Sequence, residues 1–300
     1  MRIRPFEYRE AAGWAEALDL VGRLGPEAKV LAGGTDLVLA LKEKKIQPRY
    51  VISLHRVRGL DTARRDGSMV RIGALARHAD LAADPFLRKA FPGLCQAVGL
   101  IGSWQIRNVG TLGGNLCNAS PAADSAPPLL ALDARVVLAE ARGEAELPLA
   151  AFFTGPGLTV LQSGQLLKEV ILEIPPDRSA GVYLKLMRRR AVDLSLVGVA
   201  LQAEADPAGG TLSKVAIGLG GVAPTPIRAP EAEAVLAGLA FDQAVKKIPE
   251  AARAAVAAAR PIDDVRASAA YRRSIIEVFV QRAAEVVLNH LFKGKGGPGK

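Results

Sequence analysis

The sequence predicts an α+β fold, and three observations carry that expectation. Residues 1–176 mix short strand-like runs with helical stretches. A proline-marked break, IPPDRSAG at 174–181, is followed first by strand-like runs and then by helical ones. Two glycine-pair turns, VLAGGTD at 30–36 and VGTLGGN at 109–115, both fall in the first half. The expected division is therefore 1–176, 177–292 and a short basic tail at 293–300.

Ala11–Leu24 has the spacing of an amphipathic helix. Lys29, Val30, Leu31 and Ala32 form a short, largely apolar run that predicts a strand, and Leu37–Lys44 reads as the helix after the turn. RYVISL (49–54) and MVRIGAL (69–75) predict strands, with RRDG (64–67) as the turn before the second. Helical patterning over 77–101 is interrupted at Pro85 and Pro92. Proline removes an N–H and clashes with the preceding turn, so this stretch divides into short helices. NASPAADSAPPLLAL predicts a polar loop entering a helix near Ala122, and ARVVLAE (134–140) and QLLKEVILEIP (165–175) predict two more strands. Beyond the break, VYLKLMRR, LSLVGVALQAEA and LSKVAIGLGGVA predict strands, the last two joined through DPAGG. Helices are then expected over Ala229–Ala237, Phe241–Ala259 and Ala267–Phe292. In the last of these, Ile276, Phe279, Val280, Ala283, Val287 and Leu291 share a stripe suited to packing on a sheet.

Composition excludes several function classes. With 50% apolar and 23% charged residues, the chain has no signature of wholesale disorder. No apolar run approaches the roughly 18–20 residues that span a bilayer, and MRIRPFEYRE lacks the apolar centre of a signal peptide. A cytoplasmic protein without a membrane span is expected. The net charge of +9 raises the question of nucleic acid. Lys293, Lys295 and Lys300 lie in the Gly-rich tail LFKGKGGPGK, however, and elsewhere cations are interspersed with acids except in RRR at 188–190. No nucleic-acid motif accompanies them. Cys95 and Cys117 are too few for a disulfide framework or for an iron–sulfur cluster, which normally takes four thiolates. His55, His78 and His290 lack metal-ligand spacing.

The glycine pairs are first of all turns, because glycine reaches positive φ without a steric penalty. Their surroundings favour phosphate contact as well. A strand, a glycine turn and a helix start gather free backbone N–H groups around one point, which suits an anion without requiring cationic side chains. Thr35 and Thr111 add hydroxyls. Neither turn has the spacing of a Rossmann fingerprint or of a P-loop.

AGGTD (32–36), IRNVGTLGGNLCNASPAAD (106–124), YLKLMRRRAVDLSLVGVA (183–200) and GGVAPTPIRAPEAE (220–233) together resemble the FAD-binding medium subunits of molybdenum hydroxylases, the group of carbon monoxide dehydrogenase and xanthine dehydrogenase. The resemblance runs from about Arg4 to Leu291. It implies a two-lobed FAD-binding domain of the PCMH (vanillyl-alcohol oxidase-like) type, followed by a smaller α+β domain of sheet and covering helices. It also implies that the glycine loops of the two lobes face the cofactor's pyrophosphate. Lys29, Val30, Leu31, Ala32, Gly33, Gly34, Thr35 and Asp36 correspond to the first loop; Thr111, Gly113, Gly114 and Asn115 correspond to donors from the second.

Asp124 matches a ribose or adenosine contact, against the competing reading of a helix cap. Lys185 matches a position near the flavin pyrimidine edge, where a cation stabilises reduced flavin; a solvated lysine is the alternative, as it is for Lys29. Ile101 and Leu167 match apolar cofactor contacts, with core packing as the alternative. Leu194 matches a position over the flavin ring, again with core packing as the rival. Arg188, Arg189 and Arg190 suit interdomain or subunit contacts. Relatives with covalent flavin use a histidine where this chain has Thr35, so non-covalent FAD is expected. The cysteine-rich insert of the 4-hydroxybenzoyl-CoA reductase branch is missing.

The resemblance thus implies no catalytic residue on this chain. Molybdopterin cofactor would sit on a large subunit and [2Fe-2S] clusters on a small one, in a dimer of heterotrimers. Electrons would leave the FAD for NAD, a quinone or oxygen. A free-standing flavin oxidoreductase on the same fold, and a scaffold subunit without flavin, are the rival expectations.

Overall fold

The computed structural model describes residues 3–189, 192–208 and 210–293; Arg190 and the tail lysines Lys295 and Lys300 lie outside the described residues. The first lobe consists of Glu7–Glu10 (β1), Trp14–Leu24 (α1), Ala28–Leu31 (β2), Leu37–Lys42 (α2) and Tyr50–Ser53 (β3). Its parallel sheet has the order β1-β3-β2, with Glu7 and Ala28 both opposite Tyr50. Helix α1 covers this sheet by turning Ala17, Leu20 and Val21 toward Ile52 and Leu54.

The second lobe begins with Ala63–Asp66 (β4) and Met69–Gly73 (β5). Six short helices follow: His78–Ala83 (α3), Pro85–Ala90 (α4), Pro92–Gly99 (α5), Trp104–Arg107 (α6), Leu112–Cys117 (α7) and Ala126–Ala131 (α8). Arg135–Glu140 (β6), Gly143–Pro148 (β7), the small hairpin of Phe153–Gly155 (β8) and Leu158–Thr159 (β9), and Leu166–Glu173 (β10) complete it. Its antiparallel sheet has the order β4-β5-β10-β6-β7. The prolines divide the helical stretch as expected: each opens a helix at a position whose N–H has no intrahelical partner anyway. Asp84 caps α4 by accepting from Leu87 N at 2.9 Å. Ile72, Val136, Val170 and Leu172 from the sheet meet Phe91, Leu94, Leu112 and Phe152 in one core.

The remainder is Ser179–Leu186 (β11), Val197–Ala205 (β12), Leu212–Gly220 (β13), Ile227–Arg228 (β14), Pro230–Leu236 (α9), Phe241–Ala258 (α10) and Ala269–Lys293 (α11). The strands pair antiparallel in chain order. Val199, Leu201, Ile217 and Leu219 meet Ala251, Ala255, Ile276, Val280 and Val287 of the helices on one face. Tyr183, Ala200 and Ala216 face the other way and meet Ala97 of α5 and Ala131 of α8. Strand β12 is thus buried on both faces, which is why its sequence is a near-continuous apolar run.

A polar clamp ties this sheet to the second lobe. Arg228 donates to both oxygens of Glu233, at 2.6 and 2.7 Å, and reaches across to the Leu130 carbonyl at 2.9 Å and to Asp133. Lys214 joins Asp133 at 2.7 Å.

The structure departs from the sequence-based reading of the elements at several points. Residues 64–66 of RRDG belong to β4, so the reversal is confined to Gly67 and Ser68. Strands β1 and β7 were not expected at all, and neither were the short β8, β9 and β14 or the helices α6 and α7. Strands β1, β4 and β7 stand at sheet edges with mostly exposed side chains, so burial imposes no alternation on them. Helix α8 starts at Ala126 rather than near Ala122, because Ser120 folds the preceding residues into a turn, accepting from Ala122 N through its hydroxyl and from Ala123 N through its carbonyl. No helix of the described residues is long and apolar enough to cross a membrane.

Replacing Arg228 by alanine leaves Glu233 and the Leu130 carbonyl without this partner. Urea unfolding is expected to report a loss of about 2–4 kcal/mol. An unchanged midpoint would mean that the clamp contributes nothing.

Candidate functional site

The two glycine loops meet. β2 ends at Leu31, the chain reverses through Ala32–Asp36, and α2 starts at Leu37. A Cβ placed on Gly33 would lie 2.1 Å from the Val109 carbonyl oxygen and 2.8 Å from the Gly110 Cα. These are backbone atoms that cannot swing away, so only glycine allows this approach. Gly34 takes φ +75°, turning the peptides of the loop. Among the described residues, the backbone N–H groups of Gly33, Gly34, Thr35 and Asp36 have no hydrogen-bond acceptor. Four consecutive unpartnered donors in a partly buried turn form the kind of nest that receives an anion.

The second loop is built differently, and its glycine pair is not the turn expected: Gly113 and Gly114 lie in the first turn of α7, which Thr111 caps. Leu112 N donates to the Ala76 carbonyl (2.9 Å), Gly113 N to the Ala74 carbonyl (2.8 Å) and Asn115 N to the Thr111 carbonyl (3.0 Å), while Gly114 N donates to Thr111 Oγ1 (3.1 Å). Asn115 Oδ1 accepts from the Ser125 hydroxyl at 2.6 Å. The backbone donors expected from Gly113, Gly114 and Asn115 are thus engaged within the lobe, while the side-chain amide N–H groups of Asn115 have no acceptor among the described residues. Thr111 keeps the one backbone N–H of Gly110–Asn115 without an acceptor among the described residues. The second loop is accordingly a self-bonded wall, and the first holds the open donors.

His78 lies beneath that wall. Its backbone N–H donates to the Gly110 carbonyl at 3.0 Å, and a Cβ on Gly110 would stand 3.2 Å from its imidazole Cδ2. The side chain is buried and Nδ1 has no partner. Burial, reinforced by the nearby Arg107 guanidinium, pushes its pKa down to about 4.

Asp124 and Lys185 come together, though 61 residues apart. Lys185 Nζ lies 2.8 Å from Asp124 Oδ2 and donates to the Leu100 carbonyl at 3.0 Å. The Tyr183 hydroxyl donates to Asp124 Oδ1 at 2.7 Å. Burial raises the Asp124 carboxyl above its ordinary value, and the Lys185 ammonium and the Tyr183 hydroxyl oppose that shift. The Lys185 side chain is 1% exposed. The reading of Lys185 as a solvated lysine and that of Asp124 as a helix cap are both set aside, and the charged ends expected to face a ligand face each other here.

The other expected residues divide. Lys29 is exposed; Val30, Leu31, Ala32 and Ile101 are half-buried. Leu167 is enclosed in the second-lobe core, which is the packing alternative rather than an exposed contact. Leu194 is 58% exposed at a turn closed by Asp193, whose carboxylate accepts from the backbone of Arg188 and Arg189. It is not a core residue. Sequence reasoning missed Val109, Gly110, His78, Tyr183 and Ser125. Val109 and Gly110 stood inside the quoted motif, but nothing in a single sequence says that one loop packs on another.

Residues 4–176 match the FAD binding domain in molybdopterin dehydrogenase, and residues 182–287 match the CO dehydrogenase flavoprotein C-terminal domain. The chain belongs to this flavoprotein family. It is 34% identical over 282 residues to a protein named putative xanthine dehydrogenase FAD-binding subunit XdhB of Escherichia coli K12, covering 92% of this chain and 93% of that one. It is 33% identical over 278 residues to the carbon monoxide dehydrogenase medium chain of Hydrogenophaga pseudoflava, covering 93% and 95%.

Among solved structures, it superposes on a chain of carbon monoxide dehydrogenase from Hydrogenophaga pseudoflava with a TM-score of 0.91 at 34% identity, over 96% of this chain and 98% of that one. A chain of quinoline 2-oxidoreductase from Pseudomonas putida 86 gives a TM-score of 0.90 at 26% identity. The open N–H groups of Gly33–Asp36, held beside the backbone of Val109 and Gly110, fit the diphosphate of FAD.

The neutral His78 makes the fold sensitive to acid. An unfolded histidine binds a proton near pH 6.5, whereas the folded one does so at about 4. Its contribution is therefore complete above pH 6.5 and declines as pH falls toward 4, with about 2 kcal/mol lost between pH 7 and pH 5. Urea unfolding of the wild type and of His78→Gln at both pH values should show a smaller pH dependence in the variant. Equal dependence would remove His78 from this role.

Proposed function

We propose that this chain is the FAD-bearing electron-transfer subunit of a heteromeric molybdenum hydroxylase. The observation that carries the reading is the row of four open backbone donors at Gly33–Asp36, held against the wall of Val109 and Gly110. Support for the assembly comes from relatives whose names are those of medium chains and FAD-binding subunits.

In this reading the first loop binds the diphosphate through N–H groups, with the Thr35 hydroxyl beside them. Thr111 adds its N–H from the second loop. Gly113, Gly114 and Asn115 hold the wall in shape, Ile101 and Leu194 border the ring site, and Asp124 with Lys185 supplies a paired charge next to it. Lys29–Leu31 set the approach of the strand. FAD, when bound, accepts electrons and passes them on one or two at a time, while the protein binds, orients and tunes it. Attachment is non-covalent, since Thr35 carries no nucleophilic imidazole.

Electrons arrive from [2Fe-2S] clusters on a small subunit, after oxidation of substrate at a molybdopterin cofactor on a large one. They leave to NAD, a quinone or oxygen. A dimer of heterotrimers in the cytoplasm completes the proposal, and Cys95 and Cys117, both without a disulfide, suit a reducing compartment. Arg188 and Arg189, both exposed, remain candidates for subunit contact.

The experiment is anaerobic reduction followed by flavin bleaching. The isolated chain should carry FAD that acid precipitation releases intact, and that FAD should stay oxidised with organic substrates. The complex from the native host should bleach with its substrate. Bleaching of the isolated chain at a catalytic rate would instead make it a free-standing oxidoreductase.

A further inference from the structure

Strand alternation puts Tyr183 and Lys185 on the same face of β11, turned toward α5. Both end on one carboxylate, the hydroxyl on Asp124 Oδ1 at 2.7 Å and the ammonium on Oδ2 at 2.8 Å. The backbone of Tyr183 is itself fixed, its N–H donating to Gln96 Oε1 at 2.9 Å. On the adjacent strand, a Cβ at Gly198 would stand 2.5 Å from the Tyr183 hydroxyl oxygen, so the absence of a side chain there keeps the hydroxyl in place.

What this hub holds is the turn at Leu100–Gly102. Lys185 donates to the Leu100 carbonyl, Arg107 Nη1 to the Ile101 carbonyl at 2.9 Å, and Val192 N to the Gly102 carbonyl at 3.3 Å. The half-buried Ile101 and the exposed Leu194 loop therefore both hang on it. The turn leads through α6 to the Ile106 carbonyl, which accepts from Gly110 N at 2.7 Å beside the contact with Gly33.

We propose that Tyr183 is a positioning residue for the flavin site, acting through Asp124 to hold Lys185 against the turn that carries Ile101. This rests on the FAD reading above. A buried carboxylate with one oxygen left unpaired is costly, so loss of the hydroxyl displaces the pair and the turn together. Tyr183 does not touch the cofactor; its effect reaches the flavin through its neighbours.

The test uses the full chain and two single variants, Tyr183→Phe and Gly198→Ala, with their combination. FAD affinity is measured by titration, and the environment of the ring by visible circular dichroism of the bound flavin. Each single variant should weaken FAD binding about tenfold and change the visible dichroism. The double variant should lose little more than either, because both remove the same contact. Unchanged affinity and dichroism in a folded Tyr183→Phe protein, even with a lowered melting temperature, would overturn the proposal and leave the FAD reading standing. Additive losses would overturn it as well. A wild-type chain that binds no FAD would overturn the FAD reading and this proposal with it.

Discussion

The contact of Gly33 with the Val109–Gly110 backbone is the constraint on which the site depends. At this distance no side chain fits, so here the two lobes meet through bare main chain, beside the apolar contact that Leu166 of the second lobe makes with the first-lobe core. The arrangement has an asymmetric result. The second loop satisfies its own amides against Ala74, Ala76 and Thr111, which makes it rigid before any ligand arrives, and the first leaves four amides open. A preformed wall beside open donors lets an anion bind without reorganising the protein.

The third sheet supports this junction from behind. Because β12 is buried on both faces, the helices α10 and α11 on one side and α5 and α8 on the other hold it as a middle layer. The contacts with α5 and α8 are made largely by alanines, which bring the backbones close, and buried polar groups occupy the remainder. Arg228 and Lys214 fasten one end to Asp133, and Asp124 receives Tyr183 and Lys185 at the other. The sheet therefore reaches the junction through specific hydrogen bonds as well as apolar contact.

Much of this architecture was legible in the sequence, for identifiable reasons. Pro85 and Pro92 mark the helix starts because their missing N–H dictates where a helix can begin. Ile276, Val280, Ala283 and Val287 mark the packed stripe of α11 because burial imposes its period. Strands β1, β4 and β7 were illegible because their mostly exposed side chains impose none. At the site, Gly33, Gly34 and Thr111 were marked by the glycine pairs and by similarity to known flavin loops. The bonding of Gly113 was not, since its acceptor at Ala74 lies nearly forty residues upstream, whereas Gly114 and Asn115 donate locally to Thr111 at the start of α7. The meeting of Asp124 with Lys185 was hidden for the same reason: each was marked singly, and only the fold reveals that they pair. Tyr183 and His78 carried no local signal.

Amide hydrogen exchange with and without FAD tests the division of labour between the two loops most directly. Without FAD, Gly113, Gly114 and Asn115 should exchange slowly and Gly33, Gly34, Thr35 and Asp36 rapidly. With FAD bound, the second group should become protected and the first should change little. Protection that appeared only in the second loop, or an unprotected first loop at full FAD occupancy, would contradict the assignment of Gly33–Asp36 as the diphosphate donors.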